Sequence, residues 1–373
     1  MNRFFNLRHA HHAFAQVCLG VILMVMLWAV PKAPAQASLI AALPPGNAVT
    51  DPRSLLRLAL PFKNDSIRRI QSDIEDIASQ VRARRWSAIN SDISKASTFL
   101  ERRKDEILAT VPEANRAAAV ALVDQIAADL TELKAIAQVK DGEALVEKKN
   151  QVLDTIGTLE ASMVDKFPFE VPQEYANLPQ LKGRATVEIE TTKGSLALVA
   201  DGYSAPVTAG NFIDLVQRGF YNGLPFTRAE ESYVLQTGDP QGPEVGFVDP
   251  TSGKYRAIPF EVLVQGDDKP FYGSTLEEAG RYLDNPVLPF SAYGTVAMAP
   301  PAEDPNGASS QFFFFLFEPE LTPAGRNLLD GRYPVFGYVV SGQEVLRQLK
   351  PTDKIISAKV IEGLENLQKP TKA

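Results

Sequence analysis

Residues 311–317 read Gln-Phe-Phe-Phe-Phe-Leu-Phe, and this run decides how the second half of the chain folds. Aromatic residues are enriched in strands, where successive side chains point to opposite faces. Phe312 and Phe314 would then face one side of a sheet, while Phe313 and Phe315 face the other. We therefore predict a core strand here, in which Phe313 reaches a binding site only if its face of the sheet opens outward.

Short strand-like segments recur on both sides of this run. Ala185–Glu190 alternates apolar and polar residues with period two, and Thr191–Gly194 is typical of a hairpin turn. One helix is predicted over Pro206–Gln217, with proline at its first position. Further strand-like runs lie at Tyr233–Gln236, Gly294–Ala299 and Pro334–Val340. Short strands with Gly and Pro turns and few helices predict a closed β-barrel over residues 184–363.

Residues 62–166, in contrast, have the pattern of helices. Apolar residues recur there every three or four positions, which is the period of one face of an α-helix. Four such stripes are present, at Ile67–Val81, Trp86–Leu100, Leu122–Leu133 and Leu145–Met163. Short breaks separate them, which predicts an antiparallel helical bundle. The predicted fold class is therefore multi-domain α + β: an N-terminal antiparallel helical bundle followed by a closed β-barrel.

The first 37 residues have the composition of a secretory signal peptide. They contain basic residues and no acidic one, an apolar stretch from about Phe14 to Val30, and the small-x-small sequence Ala35-Gln36-Ala37. We expect cleavage after Ala37; the alternative is a retained N-terminal anchor, because the apolar stretch is barely long enough to span a bilayer. The remaining predicted segments are an extended lead-in at 38–61, a Pro-rich linker at 167–183 and a C-terminal tail at 364–373.

Histidine and cysteine occur only within this predicted signal peptide. The three His and the single Cys of the chain are His9, His11, His12 and Cys18. Cleavage leaves neither residue type, which excludes a Ser-His-Asp triad, a thiol nucleophile, His or Cys metal ligands and disulfides. The net charge is −7, and an acidic exported protein is a poor candidate for nucleic-acid binding. We therefore expect no nucleic-acid partner, no metal and no cofactor.

Three motifs follow one another in the barrel half of the chain, at Phe226–Asp239, at Gly294–Ala299 leading to Ser310–Phe313, and at Leu328–Gly337. In this order and spacing they resemble the cyclophilin family of peptidyl-prolyl cis-trans isomerases. The Ala209–Phe212 helix segment and the Gly219–Tyr221 turn match too, and the resemblance covers about residues 184–363. It implies a cyclophilin-like closed β-barrel and an enzyme that isomerises the peptide bond before proline.

The whole layout resembles one subgroup of that family, the thylakoid-lumen cyclophilins with an N-terminal helical domain. Inserted segments at Ile258–Leu263 and Lys269–Glu278 are similar to that subgroup, and so is Glu320–Pro323. A bacterial-type signal without a Ser/Arg-rich transit peptide indicates a cyanobacterial-like member. The resemblance implies export to the thylakoid lumen or the periplasm, with proline-containing protein segments and a photosystem subunit as partners. Membrane contact would occur only through a partner or an uncleaved signal.

Prolyl isomerisation breaks no bond, so the missing residue types do not exclude it. The barrier of ~18–20 kcal/mol is the resonance lost as the C–N bond rotates. A catalyst needs an apolar slot for the ring and a donor that favours the twisted amide. The resemblance implies Arg228 as the catalytic donor near the prolyl nitrogen, and Gln236 as a residue that binds the substrate backbone and helps to hold Arg228. The other implied substrate-binding residues are Phe313 as the floor, Tyr233, Val234 and Leu329 as walls, Ala299 and Gln311 in the neighbouring subsite, and Leu328 and Tyr333 at the rim.

Four positions depart from the family pattern. Many cyclophilins have Trp where this chain has Leu328, His where it has Tyr333, Asn where it has Pro300 and Met where it has Val234. A smaller wall and a lost donor weaken the grip on proline, so we expect a retained fold with reduced isomerase activity. The alternative function is a non-catalytic cyclophilin-fold chaperone or assembly factor for a photosynthetic membrane complex such as photosystem II.

Two further hypotheses come from the same residues. A hydrolase that uses Glu230, Glu231 or Asp239 is disfavoured, because adjacent acidic residues point in different directions. The helical bundle could also cover the proline pocket, since the Pro-rich linker can bring the two parts together.

Overall fold

The structure is a computed structural model that describes residues 49–230, 233–317 and 327–370. The predicted signal peptide and its cleavage point lie outside these residues. Within the described ranges, every helix is too short or too polar to cross a membrane.

The N-terminal part of the described chain is helical, as predicted. Its helices are α1 (Pro52–Leu58), α2 (Asp65–Glu75), α3 (Ile77–Arg82), α4 (Trp86–Ala109), α5 (Arg116–Val139) and α6 (Gly142–Ser162). Helices α4, α5 and α6 pack in succession, and α2 and α3 both contact α4 and α6, which closes the bundle. The first apolar stripe is divided between α2 and α3 at Asp76.

Local sequence signals start and end these helices. The Asn64 Oδ1 atom accepts the N–H of Ile67 at 2.9 Å and caps α2, and Asp141 Oδ1 accepts the N–H of Ala144 at 3.1 Å at the start of α6. Helix α5 ends at Val139, and the capping residue Lys140 that follows has a left-handed φ of 61°. The apolar stripes between these ends form the buried core of the bundle.

Helix α1 corrects the prediction of an extended lead-in. Its start is specified locally, because Asp51 Oδ2 accepts the N–H of Ser54 at 2.8 Å and Pro52 occupies the first turn. Its apolar side chains Leu55 and Leu56 join a buried cluster of the β-domain instead of the bundle core. A helix this short is not stable alone in water. The tertiary contact that stabilises it is invisible to a periodicity argument.

The C-terminal part is an antiparallel β-domain. Its strands are β1 (Gln180–Leu181), β2 (Arg184–Thr191), β3 (Gly194–Asp201), β4 (Phe226–Glu230), β5 (Val234–Thr237), β6 (Glu261–Val262), β7 (Phe271–Tyr272), β8 (Thr295–Met298), β9 (Phe312–Phe315), β10 (Val335–Ser341), β11 (Ile355–Glu362) and β12 (Leu367–Gln368), with helices α7 (Pro206–Gln217) and α8 (Gln343–Leu346). Eight of the described strands form one sheet in the order β11-β2-β3-β10-β8-β9-β5-β4. An isolated bridge joins Pro225 to Lys354, just before the two edge strands. The predicted barrel is confirmed as a curled antiparallel sheet whose edges meet at this corner.

The strand β9 shows the predicted alternation of phenylalanines. Phe312 and Phe314 belong to the interior core, where the Phe312 ring meets Phe212 of α7 edge-on at 5.2 Å. Phe313 and Phe315 belong to a separate cluster on the other face of the sheet, the same cluster that α1 joins. The outward face of β9 is therefore apolar, and part of it is available to a binding site.

Two segments predicted as a linker and a C-terminal tail contribute strands to the β-domain. Strand β1 pairs antiparallel with β12, with Gln180 opposite Gln368. Two-residue strands so far apart in the chain leave no periodic pattern to detect.

The insertion between β5 and β8 forms the hairpin β6–β7. The buried Glu261 of this hairpin accepts the N–H groups of Val207 and Thr208 at 3.2 and 2.8 Å and so caps α7.

Arginines join α1 to both parts of the molecule. Arg184 on β2 pairs with the buried Asp201 at 2.7 Å and also donates to the backbone carbonyl of Leu56. Arg57 of α1 pairs with Glu75 of α2 at 3.0 Å. Helix α1 is thus fixed to the β-domain on one side and to the bundle on the other.

Candidate active site

Three predicted site residues lie in one row across neighbouring strands. Arg228 on β4 is opposite Gln236 on β5, and Gln236 is opposite Phe313 on β9. Residues paired in register share one face of a sheet. The sheet therefore brings these side chains together on its outward face, although Phe313 is far from the other two in the chain.

Phe313 forms an apolar floor on this face. Its side chain is almost fully buried, at 5% exposure. The Phe290 ring packs parallel to it, with centroids 6.0 Å apart and 8° between planes, while the Tyr333 ring meets it edge-on at 5.3 Å and 87°. Both geometries are favourable for aromatic pairs, so the floor is held from two directions.

The pocket above this floor has a volume of about 360 Å³. The residues that line it are Arg228, Tyr233, Val234, Gln236, Ala299, Pro300, Ala302, Phe313, Leu329 and Tyr333. All the predicted site residues except Gln311 and Leu328 are in this set. Ala302 was missed, because a single alanine in a Pro-rich loop gives no signal in the sequence. Phe290 was missed as well, because it supports the floor from the insertion.

Gln311 lies next to the pocket and orients one of its residues. The side-chain amide of Gln236 donates to Gln311 Oε1 at 2.7 Å. Gln311 in turn donates through Nε2 to Asp239 Oδ1 at 3.0 Å and to the Val245 carbonyl at 2.9 Å. Its amide orientation is therefore fixed by two acceptors, and the Gln236 amide is fixed through it.

Leu328 lies outside the pocket. Its side chain is 85% exposed, whereas the next residue, Leu329, lines the pocket. The turn between them is tight, since Asn327 Oδ1 accepts the N–H of Leu329 at 3.0 Å. The loop therefore directs Leu329 inward and leaves the predicted rim position of Leu328 in solvent.

The charge of the pocket suits a reaction without a nucleophile. Among the described residues that line it, Arg228 is the one cation, and none is an acid, a histidine or a cysteine. Arg228 is exposed, and its planar guanidinium offers a rigid set of donors. A fixed donor beside an apolar floor can bind a proline ring and stabilise a twisted amide.

The geometry does not support the two further hypotheses, a hydrolase that uses acidic residues and a helical bundle that covers the pocket. Asp239 accepts the Gln311 amide, and Glu231 lies outside the described residues. The pocket is lined by residues of the β-domain, and no described residue of the bundle takes part.

Comparisons with known proteins agree with both halves of this architecture. Residues 51–164 match the family model for the "Peptidyl-prolyl cis-trans isomerase CYP38-like, PsbQ-like domain". Residues 186–367 match the family model for the cyclophilin-type peptidyl-prolyl cis-trans isomerases.

Relatives match over most of the chain. A thylakoid lumen peptidyl-prolyl cis-trans isomerase of Synechocystis is 54% identical over 94% of this chain and 94% of its own length. The chloroplastic isomerase CYP38 of Arabidopsis thaliana is 42% identical over 87% of this chain and 77% of its own length. The chloroplastic CYP37 of the same plant is 33% identical over 84% of this chain and 70% of its own length. The chain therefore belongs to the cyclophilin-type peptidyl-prolyl cis-trans isomerase family, in the group that has a helical N-terminal domain.

Proposed function

We propose that this protein is an exported peptidyl-prolyl cis-trans isomerase that acts on proline-containing segments of other proteins. The observation that carries the proposal is the row of Arg228, Gln236 and Phe313 on one face of the sheet. It combines an apolar floor, a fixed amide and a permanent cation within one pocket. Those are the groups that lower a rotational barrier without making or breaking a bond.

The proposed mechanism assigns one task to each group. The proline ring packs on Phe313 between Val234 and Leu329. The Gln236 amide, oriented by Gln311, binds the substrate backbone. As the C–N bond rotates it loses resonance, and the nitrogen becomes a better acceptor. The Arg228 guanidinium donates to that nitrogen in the twisted state, which lowers the barrier in both directions.

The relatives support a compartment for this protein, while its specific client remains a prediction. The names of two relatives place them in the thylakoid lumen and in the chloroplast, which supports a thylakoid-lumen location after export. A photosystem subunit remains our prediction for a specific client, and membrane contact only through a partner or an uncleaved signal remains a prediction as well. The relatives support the isomerase, and the non-catalytic assembly-factor hypothesis is not better supported.

Residues at the rim of the pocket support the prediction that isomerase activity is reduced. A large apolar residue at position 328 would add a wall beside the proline ring, but Leu328 points into solvent. Pro300 lines the pocket and has no backbone N–H to donate to a substrate. Substrate binding therefore depends on Phe313 and its neighbours.

A proline-peptide isomerisation assay with matched arginine variants tests the proposal. The wild type should accelerate cis-trans exchange above background, and Arg228→Ala should lose about 100-fold in kcat/KM, as for the removal of other transition-state donors. Arg102→Ala removes an exposed arginine from α4 of the bundle and should leave the rate unchanged. Wild-type exchange at the background rate would refute the isomerase assignment.

A further inference from the structure

The loop that carries the pocket residue Leu329 also contains Asp330, whose carboxylate accepts two backbone hydrogen bonds. Asp330 lies between Leu329 and Tyr333, which both line the pocket. Its Oδ1 atom accepts the backbone N–H of Phe290 at 2.7 Å, and its Oδ2 atom accepts the backbone N–H of Asn327 at 3.0 Å. Charge-assisted hydrogen bonds of this kind are roughly twice as strong as neutral ones.

The hydrogen bond from Phe290 to Asp330 fixes the residue whose ring packs against the pocket floor, Phe313. Phe290 is fully buried, and its ring packs parallel to Phe313. The preceding residue is held too, because the Tyr338 hydroxyl donates to the Pro289 carbonyl at 2.9 Å. The backbone of Phe290 therefore determines where the ring beside the floor lies.

The second bond fixes the wall. It closes the turn that begins at Asn327, whose own Oδ1 orients the N–H of Leu329. The N–H of Arg332 donates to the Leu329 carbonyl at 3.0 Å, so the turn is compact. A shift of the Asp330 carboxylate would move the turn and the Leu329 side chain with it.

We propose that Asp330 is a positioning residue that sets the distance between the floor and the wall of the proline pocket. One carboxylate bridges the Phe290 segment, which supports Phe313, and the turn that carries Leu329. The width of the proline slot then depends on this bridge. The inference rests on the proposed isomerase function, but the bridge itself can be tested without turnover.

The same loop has independent anchors, so loss of the bridge should widen the slot without unfolding the domain. The Leu276 N–H donates to the Gly331 carbonyl at 2.9 Å. Arg332 pairs with Glu277 at 2.9 Å. Both bonds tie the loop to the insertion and do not involve Asp330.

The expected signature is a change in KM rather than in kcat. Asp330→Ala removes both bonds, so the slot grips the ring less well, while the Arg228 donor remains. We expect KM for a proline peptide to rise about 5-fold or more, with kcat within about 2-fold, because uniform binding is lost. Asp330→Asn keeps one acceptor oxygen and should give an intermediate KM, which is the partial rescue expected of a positioning role.

Asp249 offers a matched control. Its carboxylate also accepts two backbone N–H groups, from Thr251 at 2.8 Å and Ser252 at 3.1 Å, in a loop that does not line the pocket. Asp249→Ala should therefore leave both kcat and KM unchanged.

The experiment combines kinetics with peptide titration and amide hydrogen exchange on the full chain. Support for the proposal is faster exchange at Phe290 and Asn327 in Asp330→Ala, together with a raised KM and a raised Kd for the peptide. Unchanged exchange at both amides, or an unchanged KM, would overturn it. If Asp330→Ala does not fold, Asp330→Asn decides by the same two measurements. If the wild type has no turnover, the proposed function fails, while amide exchange and peptide Kd still decide whether Asp330 positions the pocket.

Discussion

Glu160 makes the stability of the bundle depend on pH. It lies on α6 with a fully buried carboxylate, and burial raises its pKa from 4.5 to about 7. Neither carboxylate oxygen has a hydrogen-bond donor among the described residues. The Arg68 guanidinium lies 3.5 Å away, but its N–H groups donate to other acceptors. Burial has the largest effect on the pKa of Glu160. The positive charges of Arg68, Arg57 and Arg184 lower this pKa, and the negative charge of Glu75 raises it.

The sign and the size of the effect follow from linkage. Between pH 4.5 and about 7 the folded protein retains a proton that the unfolded chain has released. Each pH unit in that window therefore removes ~1.4 kcal/mol from the free energy of unfolding, for a total of about 3 kcal/mol. The contribution is fully present below pH 4.5 and is lost as pH rises through 7.

Glu160→Gln removes this titration with little change in shape. We expect the variant to match the wild type near pH 4.5 and to be about 3 kcal/mol more stable at pH 8. Urea unfolding followed by Trp86 fluorescence measures this in a chain that begins at Ser38, where Trp86 is the single tryptophan. Glu101→Gln, which removes an exposed carboxylate from α4, should follow the wild-type curve. If the free energies of unfolding of Glu160→Gln and the wild type changed in parallel with pH, the reasoning would be refuted.

Three further outcomes are expected. Gly337→Ala should lower the free energy of unfolding by about 1–3 kcal/mol or more, because a Cβ there would lie 2.2 Å from the Val199 carbonyl oxygen on the paired strand; an unchanged urea midpoint would contradict this. Arg184→Ala should cost ~3–5 kcal/mol by leaving the buried Asp201 without its ion pair, and a melting temperature equal to that of the wild type would show that the pair is dispensable. Leu328→Trp should lower KM for a proline peptide about 3-fold, because an indole is long enough to extend from this exposed position over the pocket mouth and add apolar contact area, whereas an unchanged KM would place position 328 outside the substrate path.

The local patterns predicted more of the fold than of the site. The stripes over Ile67–Val81 and Leu145–Met163 became buried helix faces because the helical period is a property of neighbouring residues. The alternation of Phe312–Phe315 was predictable too, because the two-residue period of a strand is also a property of neighbouring residues. Helix α1 was not, because its apolar residues pack against another domain. The pairing of β1 with β12 joins two-residue segments at opposite ends of the β-domain and has no local signature.

Motif resemblance named the candidate site residues but not their arrangement. Arg228, Gln236 and Phe313 could be named from the order of three motifs, but only the strand register shows that they share a row. Leu328 occupies a pocket position in the resemblance and is exposed in the structure, because the turn at Asn327 directs Leu329 inward instead. Asp330 looks like an ordinary turn residue until the position of Phe290 is known.

The sequence by itself determined that the chain has a helical part and a strand-rich part, and that all of its histidine and cysteine lies in the predicted signal peptide, which prolyl isomerisation does not need. These conclusions depend on periodicity and residue chemistry, which are local. The tertiary structure decided which face of β9 opens outward, which carboxylate bridges floor and wall, and which glutamate is buried enough for its pKa to approach 7. Each of those depends on burial and on contacts between segments remote in the chain, and no local pattern encodes the distance between such segments.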